Sequence, residues 1–176
     1  MKTTITLLSF LLAAHFGICQ SQAVLDFHEK FRDNGKYVSV KIDGGLLKLF
    51  SNIETNDEEA QEFMDAMNKI EAIDVHSIDR GDDGFKESDL NSFKKDVKKE
   101  KYDELMVVRD GDTKLDFLIK EKKGKISDLL LLVDEADEFV IVNISGEIDL
   151  NTIAKITENL DIKGGKHMKK IKEKEE

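Results

Sequence analysis

Tyr102–Leu160 reads YDELMVVRDGDTKLDFLIKEKKGKISDLLLLVDEADEFVIVNISGEIDLNTIAKITENL. Four apolar runs stand in it: Leu105–Val108, Leu115–Ile119, Leu129–Val133 and Phe139–Ile144. Short polar segments separate them, namely Asp110-Gly111-Asp112, Lys122-Lys123-Gly124 and Asp134–Glu138. Connections this short join neighbouring antiparallel strands, because a parallel crossover needs about a dozen residues or more. The stretch therefore predicts a four-stranded meander. Leu129–Val133 is apolar at every position, so its strand is expected to lie centrally with both faces covered. Asp149 is then expected to cap a closing helix with Leu150, Ile153, Ile156 and Leu160 on its inner face.

Upstream, Val24, Phe27, His28 and Phe31 share a helical face, and Asn34-Gly35 supplies the stop. Tyr37–Ile42 alternates as a half-buried strand. Gly44-Gly45 breaks it, and Leu46–Phe50 reads as a turn or a single helical turn. Asn56 is the expected cap of a helix with Ala60, Phe63, Met64, Met67 and Ile70 along its stripe. Ile73–Ile78 is a second strand. Ser88 or Asp89 opens a further helix with Leu90, Phe93 and Val97 inward and Lys94, Lys95, Lys98 and Lys99 outward. The expected fold class is α+β, a largely antiparallel sheet of about six strands with helices mainly on one face.

The N-terminus belongs to a different category. Lys2 precedes a mostly apolar run from Ile5 to Ile18, too short to span a bilayer, which is the pattern of a secretory signal peptide. Gly17-Ile18-Cys19 places small residues where a signal peptidase reads, so cleavage after Cys19 is expected. Ser21-Gln22-Ala23 is a second candidate. Lipidation of Cys19 fits less well, because bulky Ile18 precedes it. The domain plan is a signal peptide over 1–19, one α+β domain over 20–162, and a basic, disordered tail over 163–176. Without Cys19 the mature chain has no cysteine, which excludes disulfides and thiolate metal sites.

The chain carries a formal charge of −10. Setting aside the +3 tail and Lys2 leaves −14 on Gln20 to Ile162. An acidic body argues against nucleic acid as a partner, and against insertion into a membrane once the leader is removed.

Candidate chemistry is sparse. Asp79-Arg80-Gly81-Asp82-Asp83-Gly84 resembles a calcium loop, but aligning Gly84 with the loop glycine puts Gly81 third and Leu90 twelfth, where oxygen ligands are required. A solvated acidic loop is expected instead. His15, His28, His76 and His167 show no ligand spacing, and His28 reads as a packed core histidine. Ser88, Ser127 and Ser145 lack a nucleophile-elbow context. Gly44-Gly45 lacks the residues of a phosphate loop. Asp116 and Glu121 are the nominal carboxylate pair for a hydrolase. No catalytic residue, cofactor or metal site is expected.

Tyr102-Asp103-Glu104-Leu105-Met106, the leucine segment that follows, and Phe139–Ile144 running into Gly146-Glu147-Ile148-Asp149-Leu150 together resemble the family called domain of unknown function 4252. The resemblance spans about Leu25 to Leu160. It implies an exported protein of the Bacteroidota envelope and a link to envelope signalling, and it carries no activity, cofactor or catalytic residue. Locally, Gly146 is expected to end a strand, Asp149 to cap a helix, and Tyr102-Asp103-Glu104 to form a junction. The expected function is therefore a non-catalytic, periplasmic or secreted protein that binds an envelope protein. A small-ligand carrier, or a hydrolase using paired carboxylates, is the alternative.

Overall fold

The computed structural model describes residues 21–51, 56–81 and 84–149. The chain runs α1 (Gln22–Phe31), β1 (Tyr37–Asp43), α2 (Gly44–Ser51), α3 (Glu58–Met67), β2 (Ile70–Asp79), α4 (Glu87–Lys99), β3 (Asp103–Asp110), β4 (Thr113–Lys122), β5 (Lys125–Asp134) and β6 (Glu138–Ile148). One six-stranded sheet has the order β1-β2-β6-β5-β4-β3, and every pairing is antiparallel. The meander is present as expected. Its last strand, β6, then receives β2, so the two parts of the sheet meet at the β2–β6 ladder.

The turns explain the meander. Lys123 and Gly124 have φ of 56° and 77°. Positive φ at both central residues is the condition of a two-residue I′ hairpin, whose twist matches the flanking strands. Gly111, at φ 60°, sits first in the two-residue connection between Asp110 and Thr113.

The closing helix expected over 150–160, and the tail and leader, lie outside the described residues. The helix over Leu46–Phe50 is longer than the expected turn, and Asp57 rather than Asn56 caps α3. The Asp57 Oδ1 accepts from the Ala60 N–H at 3.2 Å.

The helices do not gather on one face. Alternate residues of β5 point to opposite sides, and each side has its own cover. Leu130 and Leu132 pack with Ala23, Val24, Phe27 and Phe31 of α1 and Leu90, Phe93 and Val97 of α4. Leu129 and Leu131 join the cluster that holds Leu47 of α2 and Met67 of α3. A strand apolar on both faces demands burial on both, which is why the described helices divide two and two.

The α1/α4 side has an aromatic centre. The Phe27 ring lies 5.6 Å from Phe85, 5.4 Å from Phe93 and 6.0 Å from Phe139, all edge-on. Phe85 and Phe139 stack at 4.8 Å. These contacts lock α1 and α4 onto β6 and so fix what lies at their ends.

Gly146 does not end a strand. It lies inside β6, opposite Ile70 at a register shift, with φ 138°. A β-carbon there would stand 2.4 Å from the Lys69 carbonyl oxygen and 2.8 Å from the Glu71 nitrogen. Glycine is required so that β2 can approach the bulge.

Candidate functional site

The α1/α4 face of the sheet carries a polar seam across five strands, buried at its centre. Register places Lys41, Asp74 and Asn143 in one row, and Lys120, Asp128 and Ser145 in the next but one beyond Leu118 and Leu130. Asp74, His76, Asp128, Asn143 and Ser145 are all buried. Buried polar groups of this kind are the informative departures from an apolar interior.

One centre is Asp128, which is fully buried. Its Oδ1 accepts from the Tyr102 hydroxyl at 2.8 Å and from Asn143 Nδ2 at 2.6 Å. Its Oδ2 has no hydrogen-bond partner. Burial pushes the Asp128 carboxyl up to about 6, against the opposing pull of Tyr102, Asn143 and Lys120. Burial, and then the neighbouring Asp128, also raise the Tyr102 hydroxyl above its ordinary value. Lys120 stands 4.1 Å above the Tyr102 ring and donates to Glu100 at 2.6 Å. Tyr102 is thus more than a junction, because its hydroxyl donates to a buried carboxylate on β5.

The second centre is aromatic. Tyr37 Oη lies 2.9 Å from His28 Nδ1 and 2.5 Å from His76 Nδ1. Its ring stacks on that of His76 at 6.0 Å. Burial first, then electrostatic repulsion from the His28 and Lys41 side chains, holds His76 down to about 4. Its Nε2 has no hydrogen-bond partner. A general base needs one nitrogen turned to the reacting proton and the other oriented by a third group. Here Nδ1 is taken by a tyrosine and Nε2 is buried and unpartnered. Burial raises Asp74 as well, partly offset by Lys41, whose Nζ is 3.6 Å from it.

The nominal carboxylate pair does not assemble. Asp116 is buried on β4, with Lys114 at 3.1 Å and Lys94 at 3.5 Å. Glu121 is exposed, five positions along the same strand and beyond a register shift. At about 3.3 Å per residue that separation is too long for joint action on one bond. Lys94 also departs from the outer lysine face of α4. It turns inward to Asp116 and to Asp134 at 3.4 Å. Ser127 donates to the Lys120 carbonyl at 3.3 Å, Ser145 is buried and Ser88 is exposed.

The Asp79–Gly84 loop is closed by its own backbone. Phe85 N–H donates to the Asp79 carbonyl at 3.1 Å and Gly84 N–H to the Gly81 carbonyl at 3.1 Å. Gly84 is tightly confined: a β-carbon would stand 2.3 Å from the Asp79 oxygen. Arg80 reaches Asp134 and Glu87, so the loop is tied to β5 and α4. Asp82 and Asp83 lie outside the described residues, and among those described no group of three or more ligand side chains could hold a metal. Millimolar calcium is expected to leave the melting temperature of the purified protein unchanged. A rise of several degrees would reveal a site.

Shallow depressions among the described residues include three that open elsewhere. One is lined by Asp43, Gly44, Lys48 and Lys69, one by Lys36, Arg80 and Asp137, and an apolar one by Leu105, Ile119, Ile126 and Ile148. None of these three includes His76 or Asp128. Among the described residues no helix is long and apolar enough to cross a membrane.

Sequence reasoning missed both centres. The signal for the first was present, since Asn143 interrupts an apolar run and Asp128 begins one. The second had no local signal, because His28 and His76 meet only through the β1–β2 ladder and the seating of α1.

No curated protein and no solved structure matches the chain. The family model described as domain of unknown function (DUF4252) matches residues 31–156, well over half of the sequence, and the protein belongs to that family.

Proposed function

We propose that this is an exported, non-catalytic protein of the cell envelope, periplasmic or secreted, that acts by binding another protein, with a link to envelope signalling as the finer reading. The leader-like N-terminus supports export. The observation that carries the binding role is the contrast between the two edges of the sheet.

β3 forms one edge. It is bulged between Glu104 and Met106 and carries Asp103, Glu104, Arg109 and Asp110. Bulges and charges are the usual protection of an edge strand. β1 forms the other edge and pairs with β2 without a shift from Tyr37 to Asp43. Val38 is 59% exposed and Val40 48% exposed on it. Its lysine, Lys41, points to the opposite face, where it pairs with Asp74. Leu46 and Leu49 of α2, next in the chain, are exposed as well. An unprotected apolar edge of this kind suits strand addition, in which main-chain hydrogen bonds give affinity and alternate side chains give selectivity.

The test is capture from envelope fractions by the mature domain, run beside a Val38→Lys/Val40→Lys variant. The parent is expected to retain a partner that the variant loses, with both melting alike. Deleting residues 163–176 is expected to leave capture intact. Equal capture by parent and valine variant would overturn the edge reading. Capture lost with the tail alone would point to an electrostatic tether instead.

A further inference from the structure

We propose that, when no other protein occupies it, the β1 edge is closed by β1 of a second copy of this chain. The two strands pair antiparallel about a twofold axis at Val40, and the two six-stranded sheets join as one. This rests on the reading of β1 as an adhesive edge and goes beyond it by naming an occupant and its register.

The backbone limits the registers. One step beyond the Tyr37–Ile78 pair, the Asp79 N–H donates to the Lys36 carbonyl at 3.3 Å. Main-chain bonding alternates along an antiparallel ladder, so Val38, Val40 and Ile42 turn their N–H and C=O groups toward β2. Ser39 and Lys41 turn theirs toward the edge. A second copy must set its own odd-numbered positions opposite these, which leaves axes at Ser39, Val40 or Lys41. An axis at Lys41 puts two like charges directly across from each other, which is destabilising. An axis at Ser39 sets Ile42 and Asp43 opposite Lys36 and Gly35, outside the strand. An axis at Val40 pairs the whole of Tyr37–Asp43 with itself, Ser39 exchanging main-chain bonds with Lys41 and Tyr37 with Asp43.

The side chains agree with that register. Val38, Val40 and Ile42 share one face of the strand, and Ile42 packs into the cluster that holds Leu47 of α2. The axis at Val40 sets Val40 against Val40 and Val38 against Ile42, an apolar row across two valines that are exposed in the single chain. On the other face Lys41 comes opposite Ser39, and Asp43 opposite Tyr37. Like charges do not stand directly across, and each Lys41 keeps its own Asp74 at 3.6 Å.

A stable interface buries about 800 Å² on each partner, from roughly 20–30 residues a side. The seven residues of β1 are too few alone. α2 begins directly after Asp43, so its exposed Leu46 and Leu49 stand at the end of the edge where Val38 of the second copy arrives, and they widen the patch. The contact is still small. The dimer is expected to dissociate at concentrations on the order of micromolar, weak enough for another protein's strand to displace it. It also closes on itself, since the other edge, β3, is bulged and charged.

The full-length chain is expressed in an exporting host, and the purified product is sedimented over about 1–200 µM, a range that brackets such a constant. The mass is expected to rise from one copy to two and stop there. Val38→Lys/Val40→Lys should stay monomeric throughout, and should melt like the parent at the dilute end, where both are single chains. Under mild oxidation Val40→Cys should form a covalent dimer, because the two positions face each other at about 4.5 Å between α-carbons, within disulfide reach. Ser39→Cys and the parent should not, since the two copies of Ser39 lie diagonally at about 7–8 Å. A parent that stays monomeric overturns the proposal, and the edge reading survives if capture of another protein is still lost in the lysine variant. A dimer that the lysine variant retains, a mass that grows past two copies, or cross-linking through Ser39→Cys in place of Val40→Cys overturns it as well. A dimer lost in the lysine variant with capture unchanged upholds this pairing and overturns β1 as the site for another protein.

Discussion

Leu131→Ala is expected to cost roughly 2–5 kcal/mol of unfolding free energy, out of a total that for domains of this kind is about 5–15 kcal/mol. Leu131 is 4% exposed and stands in register between Phe117 of β4 and Val142 of β6. Both neighbours belong to the same cluster, so truncation opens a void walled by close-packed strands that cannot collapse into it. Leu130→Ala, on the opposite face and fully buried, should be of the same order, because its cavity opens toward α1 and α4. Deleting residues 163–176 should cost almost nothing, since that run of lysines and glutamates offers no apolar face to bury. Urea melts of the three variants beside the parent measure this. A Leu131→Ala protein as stable as the parent would mean that β5 is not the strand on which both layers depend.

That expectation was available from the sequence because it rests on short-range facts. An unbroken four-leucine run between turn residues can be buried only if both faces are covered, and the connections on either side are too short for anything but neighbouring strands. The meander, the centrality of β5 and the α+β class follow from those two constraints. The docking of β2 on β6 does not. It depends on long-range pairing, accommodated by the required glycine at Gly146, and composition gives no hint of the close approach that makes it necessary. The division of helices between the faces was equally hidden, since an amphipathic stripe shows that a helix has an inner side but not which layer it joins. Lys94 shows the same limit on a smaller scale. Helical spacing puts it among outward lysines, and only the presence of Asp116 and Asp134 beneath α4 turns it inward. The polar seam was half legible, through Asn143 and Asp128 at the margins of apolar runs. What each bonds to came from the register and from Tyr102 arriving from another segment.

Asp128→Asn is expected to stabilise the protein at pH 8 by up to roughly 3 kcal/mol and to reshape its pH profile, because two buried groups now oppose each other. Asp128 is held at about 6 in the folded protein, while an unfolded aspartate titrates near ~3.9. Between those values the unfolded chain has released the proton and the folded one has not, so stability falls as pH rises, by about 1.4 kcal/mol per unit. His76 is held at about 4, against ~6.5 when unfolded. Between those values the unfolded chain holds the proton and the folded one does not, so stability rises with pH at the same slope. Across about pH 4–6 the two contributions cancel in the parent. Asparagine keeps an oxygen for Tyr102 and Asn143 but removes the buried charge, so the variant should gain on the parent progressively through that window and hold the gain above it. The His76 slope then stands uncovered, and the variant should lose stability on acidification from about pH 6.5 to 4 where the parent changes less. Unfolding free energies from urea melts at a series of pH values between 4 and 8 decide it. Parallel curves for parent and variant would mean that Asp128 ionises in the fold as it does in the unfolded chain. Its hydrogen bonds from Tyr102 and Asn143, with Lys120 nearby, would then be stabilising the carboxylate enough to offset its burial.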